Sequence, residues 1–182
     1  MIVLAVDPGA THTGIVVADF HSIVSMDGRI LSQETVKRDK PIDAYLPVDN
    51  TYLQRIRIAL QSLCQQFEPD SFGIEQVERP SWFVGGKAKP KNPEPIIATA
   101  VVMGIALAVG LEELGRRSTY QIPVGGNGSG AFVSYPRTLV SNRERTQKDW
   151  QLKAAGKGEL CHERSAYDVA VQTVRTIRRA NR

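Results

Sequence analysis

Met1-Ile2-Val3-Leu4-Ala5-Val6-Asp7-Pro8-Gly9-Ala10-Thr11-His12-Thr13-Gly14-Ile15-Val16-Val17 opens the chain. An unbroken apolar run ends on one carboxylate, Pro8 and Gly9 turn the backbone, and a second apolar run follows Gly14. Runs of Ile, Val and Leu without alternation mark strands buried on both faces. A carboxylate at the end of such a strand is costly unless something pairs with it, and a metal ion is a common partner. Asp, Pro and Gly are also all turn formers, so on this stretch alone a plain hairpin turn stands beside the metal reading.

Working outward, Ile2–Asp7, Gly14–Asp19 and Ile30–Thr35 read as three strands, with Met26-Asp27-Gly28-Arg29 as the hairpin turn between the second and third. The spacing of Leu53, Ile56, Leu60, Leu63, Cys64 and Phe67 predicts a helix over Tyr52–Phe67, closed by Pro69. Ser71–Val77 is a short strand with Gly73 and Glu75 on one face. A loop over Arg79–Pro95 carries Trp82, Phe83, Lys87, Lys89 and Lys91. A long apolar helix, Ile96–Arg116, precedes a strand at Tyr120–Val124 and the glycine-rich run Gly125–Gly130, which reads as a flexible loop because no Lys-Ser or Lys-Thr follows it. Thr138–Ala154 is basic and weakly helical. The last helix, Glu159–Arg179, has the stripe Ala166, Val169, Ala170, Thr173, Val174 and Ile177. This order predicts a mixed α/β sandwich.

The 182 residues favour one domain, 1–182, with a sizeable core. Apolar residues make up 42% and charged residues 23%, ordinary values for a globular protein. The formal charge is +4, and the last stretch, Arg137–Arg182, holds eleven Lys and Arg against five Asp and Glu. Such a bias suits a nucleic-acid face or a plain solvated surface. Two distant cysteines, Cys64 and Cys161, argue against a disulfide framework or a zinc site. The N-terminus has no basic leader, and Ile96–Leu111 is short of the roughly 20 residues of a membrane span, so a cytoplasmic protein with no membrane partner is expected. The apolar residues of that helix point all round, which predicts a homodimer built on it.

Three acids end elements that one sheet could gather: Asp7 on the first strand, Glu75 on the fourth and Asp168 in an early turn of the last helix. Carboxylate oxygens suit Mg²⁺ or Mn²⁺, and two such ions about 4 Å apart suit phosphodiester hydrolysis. For Asp168 the plain alternative is a solvated helix acid, and for Glu75 a salt bridge to Arg79 or a loop lysine.

Asp7-Pro8-Gly9 with Thr13-Gly14, Ile74-Glu75-Gln76-Val77, and Ser165-Ala166-Tyr167-Asp168-Val169-Ala170 together resemble the RuvC-type Holliday junction resolvases of the ribonuclease H-like superfamily. Order, spacing and length fit over nearly the whole chain, and the compact length suggests a phage-type version. The resemblance implies a five-stranded mixed sheet flanked by helices, a homodimer, and a two-metal endonuclease that nicks four-way DNA junctions symmetrically. It implies metal ligation by Asp7, Glu75 and Asp168. It also implies a fourth ligand, an Asp or His three residues before Asp168, where this chain has Ser165. A serine hydroxyl is a poor ligand, and Glu163, or His162, stands just upstream to supplement it. The resemblance further implies an aromatic wedge after the second acid, in the region of Trp82 and Phe83. The expected DNA face comprises Lys87, Lys89, Lys91, Arg143, Arg145 and Lys148. Other readings are a RuvX-like RNA-processing nuclease, a catalytically weak branched-DNA binding protein, and an actin-like or sugar-kinase ATPase. The last needs roughly twice the length.

Overall fold

A computed structural model describes residues 1–21, 28–39, 49–77, 93–125, 127–156 and 158–181. Five strands form one mixed sheet in the order β3-β2-β1-β4-β5: β1 Ile2–Asp7, β2 His12–Asp19, β3 Arg29–Lys37, β4 Ser71–Glu75 and β5 Thr119–Ile122. Among the described residues the α-helices are α1 Asn50–Phe67, α2 Pro93–Glu113, the single turn α3 Asn142–Arg145, and α4 Cys161–Ala180. This is the five-stranded mixed sheet with flanking helices that the resemblance implied.

The all-apolar opening run explains the centre of the sheet. Val3, Leu4, Ala5 and Val6 are fully buried, so β1 has helices on both faces. Alternation then divides them. Leu4 and Val6 join Ile15, Val17, Phe72 and Ile74 against α1 and α2. Val3 and Ala5 join Val16, Ala18, and Ala166, Val169, Ala170 and Val174 of α4. One step beyond Ala5, the same alternation sends Asp7 to the α4 face.

β1 pairs antiparallel with β2, with Asp7 opposite Gly14, and parallel with β4, with Val6 opposite Ile74. β4 continues parallel to β5. Gly73 lies on the α4 face, where a Cβ would stand 2.1 Å from Thr173 Oγ1. Glu75, two residues on, is therefore on that face too. A Cβ on Gly14 would lie 2.1 Å from the His162 carbonyl oxygen, so glycine there lets the first turn of α4 sit directly on β2 beside Asp7.

α1 begins under an Asp49 cap whose side chain accepts from the Thr51 and Tyr52 N–H groups. α2 starts at Pro93, a favoured first-turn residue, and stops at Glu113, so it is shifted toward the N-terminus from the expected Ile96–Arg116. It buries Ala98, Val102, Ala106, Val109 and Gly110 and packs on α1, β4 and β5. By length and composition alone it is long and apolar enough to cross a membrane. The segment read as weakly helical, Thr138–Ala154, holds α3 and a short 3-10 turn at Trp150–Leu152, with further 3-10 turns at Phe132–Ser134 before it and at Arg137–Leu139 across its start. Of the expected turn Met26-Asp27-Gly28-Arg29, Met26 and Asp27 lie outside the described residues, and Arg29 begins β3.

Candidate active site

Parallel pairing sets the C-terminal ends of β1 and β4 side by side, and α4 crosses above them. Asp7 and Glu75 meet there within hydrogen-bonding reach. Glu75 is only 9% exposed. Burial first, then the contact with Asp7 and the charges of Asp7 and Asp168, push its carboxyl up to about 8, with the Asn127 amide opposing. The Asn127 side-chain nitrogen donates to Glu75 Oε1 at 2.6 Å.

Asp168 lies on α4. Its Oδ2 accepts from the Gly128 N–H at 2.7 Å and from the Tyr135 hydroxyl at 2.8 Å. Burial raises its carboxyl above the usual range although both donors and the charge of Arg175 pull the other way. The Tyr135 hydroxyl is itself raised, by burial and by Asp168, so it stays protonated and donates.

The turn that begins at Asp7 is pinned from behind. Tyr52 of α1 donates to the Gly9 carbonyl at 3.0 Å and shares a 2.7 Å hydrogen bond with Thr13. In front of it, His162 Nδ1 is 3.4 Å from Asp7 Oδ2. The His162 ring stacks on His12 with centroids 5.3 Å apart and planes within 2°. Burial, then the charges of His162 and Lys37, lower the pKa of His12, against the pull of Glu163.

Of the two upstream candidates for supplementing Ser165, His162 is the one touching Asp7. Glu163 is 6% exposed, and its Oε2 has no hydrogen-bond partner. Ser165 is buried under the loop: a Cβ on Gly128 would lie 3.2 Å from its backbone nitrogen. Ser165→Ala is expected to change cleavage less than about threefold. A loss as deep as that of Asp168→Asn, in the same assay, would give the hydroxyl an essential role.

Sequence reasoning missed Asn127, Gly128 and Tyr135. The glycine-rich run was expected to be merely flexible. Instead Gly128 is buried, with φ at 73°, and points its N–H at Asp168. The available signal was Asn-Gly itself, a pair suited to positive φ.

Arg143, Arg145 and Lys148 lie in and just after α3. Arg143 is an exposed cation 3.7 Å from Glu159, and Arg145 donates to the Asn142 side chain. Trp82, Phe83, Lys87, Lys89 and Lys91 lie outside the described residues.

Among the described residues no three His, Cys, Asp or Glu side chains form a ready group around one ion. The donor set nevertheless fits a hard divalent cation. Two carboxylates face each other at the cost of a strongly displaced titration, and the donors on Glu75 and Asp168 are neutral, so they orient the acids without cancelling their charge.

The architecture is that of the RuvC-type resolvase fold. Thermus thermophilus RuvC in complex with a Holliday junction substrate matches with a TM-score of 0.61 and 19% identity over 100% of this chain and 96% of that one. A second Thermus thermophilus RuvC structure matches with a TM-score of 0.56 and 18% identity over 94% and 91%. No family model matches the chain, and no curated protein does. At these identities the likeness is one of fold.

Proposed function

We propose that the protein is a metal-dependent endonuclease that resolves four-way DNA junctions by phosphodiester hydrolysis. The observation that carries this reading is the gathering of Asp7, Glu75 and Asp168 on one face of a RuvC-like sheet. Asp7 and Glu75, with Asp168 beside them, would hold Mg²⁺ or Mn²⁺. A cation bound there supplies an activated water and charge stabilisation of the scissile phosphate. The chain's own part is to fix the carboxylates, through Asn127, Gly128 and Tyr135, and to fix the turn after Asp7, through Tyr52. The basic segment with Arg143, Arg145 and Lys148 is tied to α4 beside the site and suits phosphate contacts. The test is cleavage of synthetic four-way junctions with Mg²⁺, with Mn²⁺ and with EDTA. Paired nicks near the branch point with metal only are expected. Metal-dependent binding without cleavage would favour a junction-binding protein, the reading that Ser165 supports.

The dimer belongs to this proposal. Only 28% of the most apolar window of α2 is buried within the chain. Ile97, Ala100, Gly104, Ala108 and Leu111 form its exposed stripe. A Cβ on Gly104 would meet nothing within 4 Å, so a second helix has room to approach closely. A twofold pair of sites matches a junction with two equivalent strands. Light scattering is expected to give a dimer at micromolar concentration and a monomer for Ala108→Glu. A wild-type monomer under those conditions contradicts the model.

A further inference from the structure

Three hydrogen-bond donors reach the acids from a short stretch of chain after β5, and a fourth stands behind one of them. Asn127 Nδ2 reaches Glu75 Oε1 at 2.6 Å, and the Gly128 N–H reaches Asp168 Oδ2 at 2.7 Å. The Gly130 N–H donates to the Tyr135 hydroxyl at 3.1 Å, and that hydroxyl donates to Asp168 Oδ2 at 2.8 Å. The last two form a relay in which each bond polarises the next.

The stretch is braced for this task. Gly128 has φ at 73°, and a Cβ there would meet the Cys161 carbonyl oxygen at 3.1 Å and Ser165 nitrogen at 3.2 Å. The loop is thus wedged against the first turns of α4, and the positive φ together with this close approach favours glycine. Tyr135 is 7% exposed and holds its ring edge-on to Tyr167 at 6.4 Å. Its hydroxyl is fixed by core packing before any ligand arrives.

All four donors are neutral. A lysine or arginine in their place would satisfy the acids and compete with a cation. Neutral donors leave the negative charge standing and restrict only its direction. We propose that Asn127, Gly128 and Tyr135 are positioning residues for a divalent cation, each holding one carboxylate oxygen so that the other is presented to the ion. The inference rests on the metal-site reading above and deepens it. Asp168 Oδ2 takes two donors, so Oδ1 is the oxygen offered. Removing such supporting contacts typically weakens metal affinity about 10–100-fold.

The test is Mn²⁺ binding, followed through the electron paramagnetic resonance signal of the free ion, beside thermal melts in EDTA. The proteins are the unaltered chain, Tyr135→Phe, Asn127→Ala and Tyr167→Phe. Tyr135→Phe keeps the ring and loses the donor. Asn127→Ala changes a partly exposed loop residue and tests the idea even if Tyr135→Phe folds poorly. Tyr167→Phe is the control, a second buried tyrosine whose hydroxyl accepts from the Gly28 N–H at 3.1 Å. About 10-fold or greater loss of affinity in Tyr135→Phe and Asn127→Ala, with the control unchanged, is the expected result. Unchanged affinity in both variants overturns the inference while leaving the metal site standing. A control that weakens as much as Tyr135→Phe assigns the effect to core packing and overturns the role of Tyr135. No Mn²⁺ binding by the unaltered chain overturns the metal-site reading and this inference with it.

Discussion

Asp7→Asn is expected to lower junction cleavage by about 10³-fold or more while leaving junction affinity within a few-fold of wild type. The amide keeps the shape of Asp7 and removes a ligand charge, and several kcal/mol of transition-state stabilisation go with it at about 1.4 kcal/mol per decade. A second readout needs no DNA. Without metal, Glu75 holds its proton up to about pH 8. Its folded pKa lies above the ordinary 4.5, so the folded state binds the extra proton, and cation-free stability falls as pH rises from about 4.5 to 8. Asn at position 7 removes a named cause of that shift. Asp7→Asn should therefore melt at a higher temperature than wild type in EDTA at pH 8, with the gap closing toward pH 5. Calorimetry should show that wild type releases protons on binding Mn²⁺ at pH 7 and fewer at pH 9. Cleavage by Asp7→Asn at a near-normal rate would falsify the site.

Glu144→Ala is expected to be the most damaging stability change among the described residues outside the site. Arg164 is fully buried. It donates to both Glu144 oxygens, at 3.1 and 3.0 Å, and to the Leu139 and Ala155 carbonyls at 2.9 and 3.0 Å. Its guanidinium carbon lies 4.9 Å from the Phe132 ring centroid. Glu144 also closes a capping box with Ser141. Removing Glu144 strands a buried cation, a loss of about 3–5 kcal/mol. For a chain of this size that lowers Tm by about 10 °C, at about 2–4 °C per kcal/mol. A Glu144→Leu, Arg164→Met double variant should recover most of it. Burial alone would raise the Glu144 carboxyl, but Arg164 and Ser141 outweigh it and hold it below 4.5. The stabilisation is thus present above pH 4.5 and fades as pH falls through the lower folded value, so wild type and Glu144→Ala should converge in acid. A drop under about 3 °C at pH 7 would show that the pair is not what fastens this segment.

Most of the fold was legible because burial writes itself into composition. The apolar run Val3–Val6 read as a strand buried on both faces, which it is, and the α4 stripe named its own buried face. Alternation alone placed Gly73 and Glu75 on one side of β4. Element ends were less legible: β2 begins at His12, since Thr13 is buried despite its hydroxyl by bonding to Tyr52. β4 stops at Glu75 and not Val77, and β5 at Ile122 and not Val124. The three acids were visible as residues ending elements. Their hydrogen-bond donors were not, because Asn127 and Tyr135 carry no periodic signal and reach Glu75 and Asp168 from 52 and 33 residues away. Arg164 with Glu144 was hidden for the opposite reason: charged residues in a basic stretch read as surface until the fold shows both inside.

That buried pair has a consequence for how the protein would fail. Arg164 and Asp168 sit one helical turn apart on α4. The turn that carries the acid is thus moored, through the turn before it, to the carbonyls of Leu139 and Ala155 and to Glu144. Warming that loosens the 139–155 stretch would misalign Asp168 before the sheet melts. Substitutions in that stretch are the natural source of heat-sensitive alleles, proteins that cut at low temperature and fall silent while still folded a few degrees higher.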